Sequence, residues 1–380
     1  QTLQQGKSIL ILTPDIPSCR KMEKLFSPLF GTFVITYHSG QTTAKRREAT
    51  KAVLQGTPLI IIGLRSALFL PFRNLGMIIV DQEHDHLYKQ TEPTPRYHGR
   101  DTALILAQIH KAGIVLGSAT PSFESLHNAL TGKYSEVNLN GAATELPPAS
   151  LRIIDFNKEL RNASTKGPIT NIALVALRES AEKGIKGAIF RPKWAFPQGD
   201  EWREELSIAL GNINTDIYTD LSELEALKTK PSLIVVLQGE ALLSPKNFRA
   251  DEKVLHQISK LVNIARGGKT EGRVIVQTSL FRHNVFRLLA GRCRIESILD
   301  ERREANLPPF SRMVQITVKG GSAQELATKG EAIAECLKRA GAEDFDGPIP
   351  TSDDAMIFQI RLPKEKRVQT IKQRIAASLY

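Results

Sequence analysis

Asp81, Gln82, Glu83 and His84 follow directly on the apolar run Ile78 to Val80, and they form the strongest local chemical signal in the chain. An acidic residue leaving the end of a buried parallel strand, with a second carboxylate two positions on, sits where open α/β sheets bind ligands. In nucleotide-driven motors such an Asp helps to hold magnesium and the adjacent Glu polarises the attacking water. From these four residues alone, a solvated polar turn reads the same way.

Two further clusters carry chemistry. Ser118, Ala119 and Thr120 lie in a small-residue turn, Gly117 to Ser122, after the apolar run Ile114 to Leu116. Hydroxyls there can link a nucleotide site to a neighbouring domain by hydrogen bonds, and a plain tight turn looks alike. Arg282, Arg287, Arg292, Arg294, Arg302, Arg303 and Arg312 are interleaved with Phe281, Phe286 and Phe310. Those types can pair with phosphates and stack bases. They also suit an arginine-rich helix wrapped on the core with Phe281 and Phe286 buried.

The elements that must position these residues alternate. Ser8–Leu12, Phe33–Tyr37, Leu59–Ile62, Met77–Val80 and Ile114–Leu116 read as strands, and Arg20–Phe30, Ala44–Leu54 and Asp101–Lys111 have helical spacing. Runs buried on both faces and separated by helices imply a parallel sheet. After a turn-rich link from Asn138 to Ser150, containing Gly141, Pro147 and Pro148, the alternation resumes to about residue 295. The tail changes to strand, helix, strand, helix: Met313–Val318, Gln324–Ala340, Ala355–Leu362 and Lys364–Ser378. The expected class is α/β, with domains at 1–145, 146–296 and 297–380, the last a small α+β domain.

The 380 residues include 51 Lys+Arg against 40 Asp+Glu, a formal charge of +11, which points toward a polyanionic partner. Residues 260–312 hold 11 basic and 5 acidic side chains, so +6 of the surplus lies there. No apolar run approaches the roughly 20 residues of a membrane helix. Cys19, Cys293 and Cys336 are too far apart in sequence for a paired metal motif and odd in number, which fits a reducing cytoplasm. Residue 1 is Gln and no leader pattern follows, so a trimmed chain or a fragment is expected.

The wider pattern is specific. Ile79 to Asp85, Tyr88 to Gln90, Pro95 to His98, Arg100 and Asp101, Leu116 to Ser122, and Glu124 to Tyr134 in part resemble the PriA family, superfamily II DNA helicases of bacterial replication restart. Leu12 to Pro14, Tyr37 to Gly40, Gly63 to Phe69, Phe248 to Glu252 and Pro308 to Phe310 extend the resemblance over nearly the whole chain. It implies two RecA-like helicase lobes. It also implies Asp81, Glu83 and His84 as catalytic residues, Ser118, Ala119 and Thr120 as a coupling motif, and Thr13 and Arg65 as nucleic-acid contacts beside the arginines named above. Single-stranded or forked DNA would be the partner, ATP and Mg2+ the cofactors, and primosome and single-strand-binding proteins the assembly.

Departures from the family pattern are as informative. Its phosphate loop lies just before the segment matching Gly6 to Pro14, and the lone Gly6 and Lys7 do not replace it. In the arginine-finger register, Lys260, Asn263, Ile264 and Gly267 replace Gln, Gly, Arg and Arg, with Arg266 one residue from the expected place. Arg191 to Pro197 runs almost directly into Gly199 to Trp202, without the family's eight-cysteine zinc module, and no zinc site is expected. Lys228 to Pro231 stands where a motor motif is expected. Gln82 replaces an acidic residue, a mild change if Asp81 and Glu83 both serve. Three readings follow: a DNA-binding restart protein with weak or no helicase activity, an active 3′-5′ helicase whose phosphate loop lies upstream, and a decayed paralogue acting through protein contacts.

Overall fold

Short apolar runs and amphipathic segments become strand and helix in turn. The computed structural model describes residues 1–139, 149–195, 200–243, 247–268, 270–320, 322–352, 354–364 and 368–379. Two compact units divide the chain after Ser122. The first contains β1 (Ser8–Leu12), α1 (Ile16–Phe30), β2 (Val34–Tyr37), α2 (Thr43–Gln55), β3 (Ile60–Gly63), β4 (Leu75–Asp81), α3 (Gly99–His110) and β5 (Gly113–Gly117). Its strands are all parallel, in the order β2-β3-β1-β4-β5.

Helices cover both faces of the central strands, so apolar residues occupy successive positions: Leu10, Ile11 and Leu12, and Ile60, Ile61 and Ile62, are all buried. Leu10, Leu12 and Ile61 pack with Ile78 and Val80 on one face, while Ile11, Ile60 and Ile62 pack with Cys19 on the other. Gly63 ends β3 where a Cβ would lie 2.7 Å from both the Tyr37 carbonyl oxygen and the Ala67 Cβ. No larger residue fits there without moving backbone.

The second unit begins with α4 (Phe123–Leu130). It continues through β6 (Ala149–Asp155), α5 (Phe156–Arg161), β7 (Thr165–Lys166), β8 (Ile169–Thr170), α6 (Asn171–Glu182), β9 (Gly187–Phe190), α7 (Glu201–Leu210) and β10 (Asp216–Tyr218). Then come α8 (Leu221–Ala226), β11 (Leu233–Val236), α9 (Ala250–Arg266), β12 (Gly272–Thr278), α10 (Asn284–Leu289) and α11 (Ile295–Glu304). A second all-parallel sheet has the order β10-β9-β11-β12-β6. Phe123 is fully buried in this unit's core, among Val236, Val254, Phe286 and Leu299.

The expected boundary at 145/146, with Gly141, Pro147 and Pro148 of the proposed link, falls outside the described residues, as does Gly199.

The tail holds β13 (Ser311–Lys319), α12 (Ala323–Arg339), β14 (Phe345–Ser352), β15 (Ala355–Pro363) and α13 (Val368–Leu379), with an antiparallel sheet in the order β13-β15-β14. The expected fold class is borne out: two parallel RecA-like α/β lobes and a small α+β domain. One strand of this tail was not expected, as β7, β8 and β10 were not in the second sheet's region. Gly347, Pro348 and Pro350 make β14 read as a turn, but it is an edge strand whose register with β15 shifts between Asp346 and Ile349. Edges tolerate the missing N–H groups of proline.

Candidate functional site

β4 delivers Asp81 to the carboxyl end of the first sheet, opposite Gly117 on β5. Gln82 then turns the chain in the left-handed region, φ +50°, and the Glu83 N–H donates to the Gly117 carbonyl at 3.0 Å. A non-glycine residue there stores strain of roughly 1 kcal/mol or more. The turn sends Glu83 inward, leaving it 1% exposed.

Its carboxylate is fully engaged. Ser122 N–H donates to Oε1 at 2.6 Å, while Ser122 Oγ and Arg100 Nη1 donate to Oε2 at 3.0 and 2.9 Å. Arg100, also buried, reaches Ser122 Oγ at 2.6 Å and Asp101 Oδ1 at 2.9 Å. Glu83, expected to polarise an attacking water, is in this structure a buried ion-pair partner that clamps the Ser122 turn. The side chain beside Asp81 is Gln82, which hydrogen-bonds the Asp81 carboxylate and has no basic lone pair to take a proton.

Burial raises the Asp81 carboxyl above its usual range, partly opposed by the Gln82 hydrogen bonds and then by Lys21 and His84. His84 Nδ1 lies 2.6 Å from Ser118 Oγ, which also accepts the Thr120 N–H at 2.9 Å. Asp81, His84, Ser118 and Thr120 are thus brought together by two adjacent strand ends. Tyr88, buried, donates its hydroxyl to the carbonyls of Leu12 at 3.0 Å and Asp81 at 2.6 Å, tying the ends of β1 and β4. Burial pushes its phenol up. Arg100, Ser122 and Tyr88 carry this site, and sequence reasoning gave none of them a role. The available signal was a lone arginine opening a helix beside a carboxylate pair.

Magnesium and a nucleotide would need more than Asp81. No Gly-rich phosphate loop with its Lys occurs in the 380 residues, so the residues present do not complete that site. Among the described residues, no group of three or more His, Cys, Asp or Glu side chains could hold a metal ion.

The expected nucleic-acid contacts separate by burial. Thr13 is 0% exposed, with Oγ1 donating to the Asp15 carbonyl at 3.4 Å, so its side chain does not reach solvent. Arg65 donates to the carbonyls of Leu87 at 2.6 Å and Lys89 at 3.1 Å, holding the segment after the acidic loop.

In the second unit Arg302 is 3% exposed, lies 4.3 Å over the Phe123 ring, pairs with Glu252 at 3.2 Å and donates to the carbonyls of Pro308 and Phe248. Arg302, expected as a DNA contact, is in this structure buried and packed on Phe123 and Glu252. Glu252 also accepts the Phe123 N–H at 3.0 Å, and Arg249 bridges Glu252 to Glu124, so α4 is held by buried charge as well as by apolar contact.

Arg303 pairs with Asp300 and covers Phe310, while Arg294 stands exposed before α11. Arg282, Arg287 and Arg292 are exposed, Arg287 meeting Asn284 at 2.8 Å and Arg292 lying 4.7 Å over Phe281. Phe286 is core. In the register of the arginine finger, Ile264 is buried and Arg266 is the last residue of α9.

On two parallel α/β sheets, an Asp-x-Glu-His loop bridged to a Ser-Ala-Thr turn is the arrangement that the resemblance to superfamily II helicases implies. Over about half its length the chain is similar in sequence to replication restart proteins PriA. It is 40% identical over 190 residues to the replication restart protein PriA of Chlamydia pneumoniae, a match covering 50% of this chain and 25% of that protein. It is 34% identical over 196 residues to PriA of Bacillus subtilis, covering 52% and 24%. The matches span about a quarter of the length of these relatives. No family model matches. Among solved structures, RecG bound to a three-way DNA junction shares 14% identity over 78% of this chain and 40% of its own, with a TM-score of 0.38. The helicase MrfA bound to DNA and AMPPNP shares 12% over 75% and 45%, with a TM-score of 0.42.

Proposed function

We propose that the chain binds single-stranded or forked DNA in bacterial replication restart and primosome assembly, with weak or no helicase activity of its own. One observation supports the second half of this reading: the Glu83 carboxylate is bound to Arg100 and Ser122, and Gln82 stands directly after Asp81 in the position of a base. In this reading primosome and single-strand-binding proteins are partners, the compartment is the bacterial cytoplasm, and the three domains are two helicase-type lobes and a tail. ATP with Mg2+ is the nucleotide that Asp81 would serve. No helix among the described residues is long and apolar enough to cross a membrane.

Fluorescence anisotropy with a labelled fork, repeated across a salt series, tests the binding. Phosphate contacts give an affinity that falls steeply with salt, and affinity that is absent or indifferent to salt sinks the reading. The intact His84–Ser118 bridge favours a second reading, an active motor that takes its phosphate loop from a longer chain. DNA-stimulated ATP hydrolysis by such a chain, lost on Asp81→Asn, would decide for it.

A further inference from the structure

Among the described residues β6 is an edge of the second sheet, paired only with β12. Its other edge opens into a groove of about 640 Å³ between α5 and α10, lined by Leu151 to Asp155 and by side chains after β12. That volume lies within the range of built ligand sites, roughly 300–1,000 Å³. Five cations line it: Arg152, Lys158, Arg282, Arg287 and Arg292. None of the five is in an ion pair among the described residues, although Asp155 and Glu159 line the same groove. Both acids together leave a net local charge of +3. Unpaired cations around a concavity create a positive field that an anion lowers, and the open strand edge adds backbone N–H groups that suit phosphate oxygens.

We propose that this groove is the second unit's binding site for single-stranded nucleic acid, with Arg152 and Lys158 as phosphate contacts beside Arg282, Arg287 and Arg292. The proposal rests on the DNA-binding reading above and adds Arg152 and Lys158 of the β6 groove to the arginines named from sequence. A positively charged groove tracking a backbone is how single strands are held without sequence preference. Phe281, covered on one face by Arg292 at 4.7 Å, supplies an aromatic–guanidinium pair on which a base can stack. Duplex readout is disfavoured: the site is a pocket beside a six-residue helix, α10, and presents no long recognition helix for a major groove.

The test is binding of a fluorescein-labelled 20-nucleotide dT strand by anisotropy, for the chain and for two double variants of equal charge change. Arg152→Glu with Lys158→Glu strikes the groove. Arg178→Glu with Lys183→Glu strikes exposed positions on α6 and the turn after it, and circular dichroism checks that both fold. The groove variant is expected to bind at least tenfold more weakly, with the slope of log K against log salt reduced by about 1.4, at about 0.7 per lost phosphate contact. The α6 variant should stay within about threefold.

If the unaltered chain binds and the groove variant matches it, the groove assignment is wrong while the DNA reading stands. Failure of the unaltered chain to bind at any salt removes both. Displacement of the dT strand by a deca-glutamate peptide at lower concentration than by unlabelled dT would make the groove a peptide site and overturn the proposal.

Discussion

Removing the charge from Glu83 takes from the buried Arg100 its one buried carboxylate and leaves it the more exposed Asp101. Breaking a buried pair on one side costs roughly 3–5 kcal/mol, so Glu83→Gln is expected to lower the urea midpoint of the chain strongly. Were Glu83 instead a solvent-facing base, the same change would leave stability within about 0.5 kcal/mol. Asp81 behaves in the opposite sense. Its folded-state carboxyl is raised by burial, so it contributes stability fully below its unfolded value and loses it as pH rises through the folded one. Asp81→Asn should therefore be more heat-stable than the parent at pH 7, with the difference vanishing as pH falls below the ordinary carboxylate range. Equal melting temperatures at pH 7 would count against the burial argument. The two acids were visible in the sequence and their roles were not, because a single positive φ at Gln82 decides which of them faces inward.

Elements were more legible than side chains. Strands β1, β3 and β4 stand within a residue or two of their apolar runs, since burial on both faces writes itself as a continuous stretch. β14 was hidden by its glycine and prolines, residues that signal turns except at a sheet edge. α4 shows a different limit. Its sequence follows the Gly117 to Ser122 turn directly, yet Phe123 and Leu126 pack in the core of the second unit, a partnership between residues distant in sequence that no local pattern carries. Phe123→Ala is expected to cost about 3–5 kcal/mol by leaving a cavity and stripping the Arg302 guanidinium of its ring. Phe123→Leu, which keeps the volume, should recover most of it. Denaturant unfolding of the two variants against the parent measures the contrast, and equal losses would point away from cavity formation.

Across the whole molecule the surplus of +11 does not mark one surface. Part of the basic stretch from residue 260 to 312 is internal, since Arg302 is committed to Glu252 and Phe123, while Arg282, Arg287 and Arg292 share the β6 groove with Arg152 and Lys158, which lie over a hundred residues earlier. Counting charge along the chain found the stretch and missed the groove, because the sheet order that sets β6 beside β12 is not written locally. The open edge of β6 has a further consequence for behaviour at high concentration. An unpaired strand is a template on which another copy can add its own, and charged side chains at an edge are what prevents it. Replacing Arg152 and Lys158 together by valine should therefore promote self-association, seen as rising light scattering, where replacement by glutamate does not. The cations that receive a strand of nucleic acid would also be the ones that turn away a strand of protein.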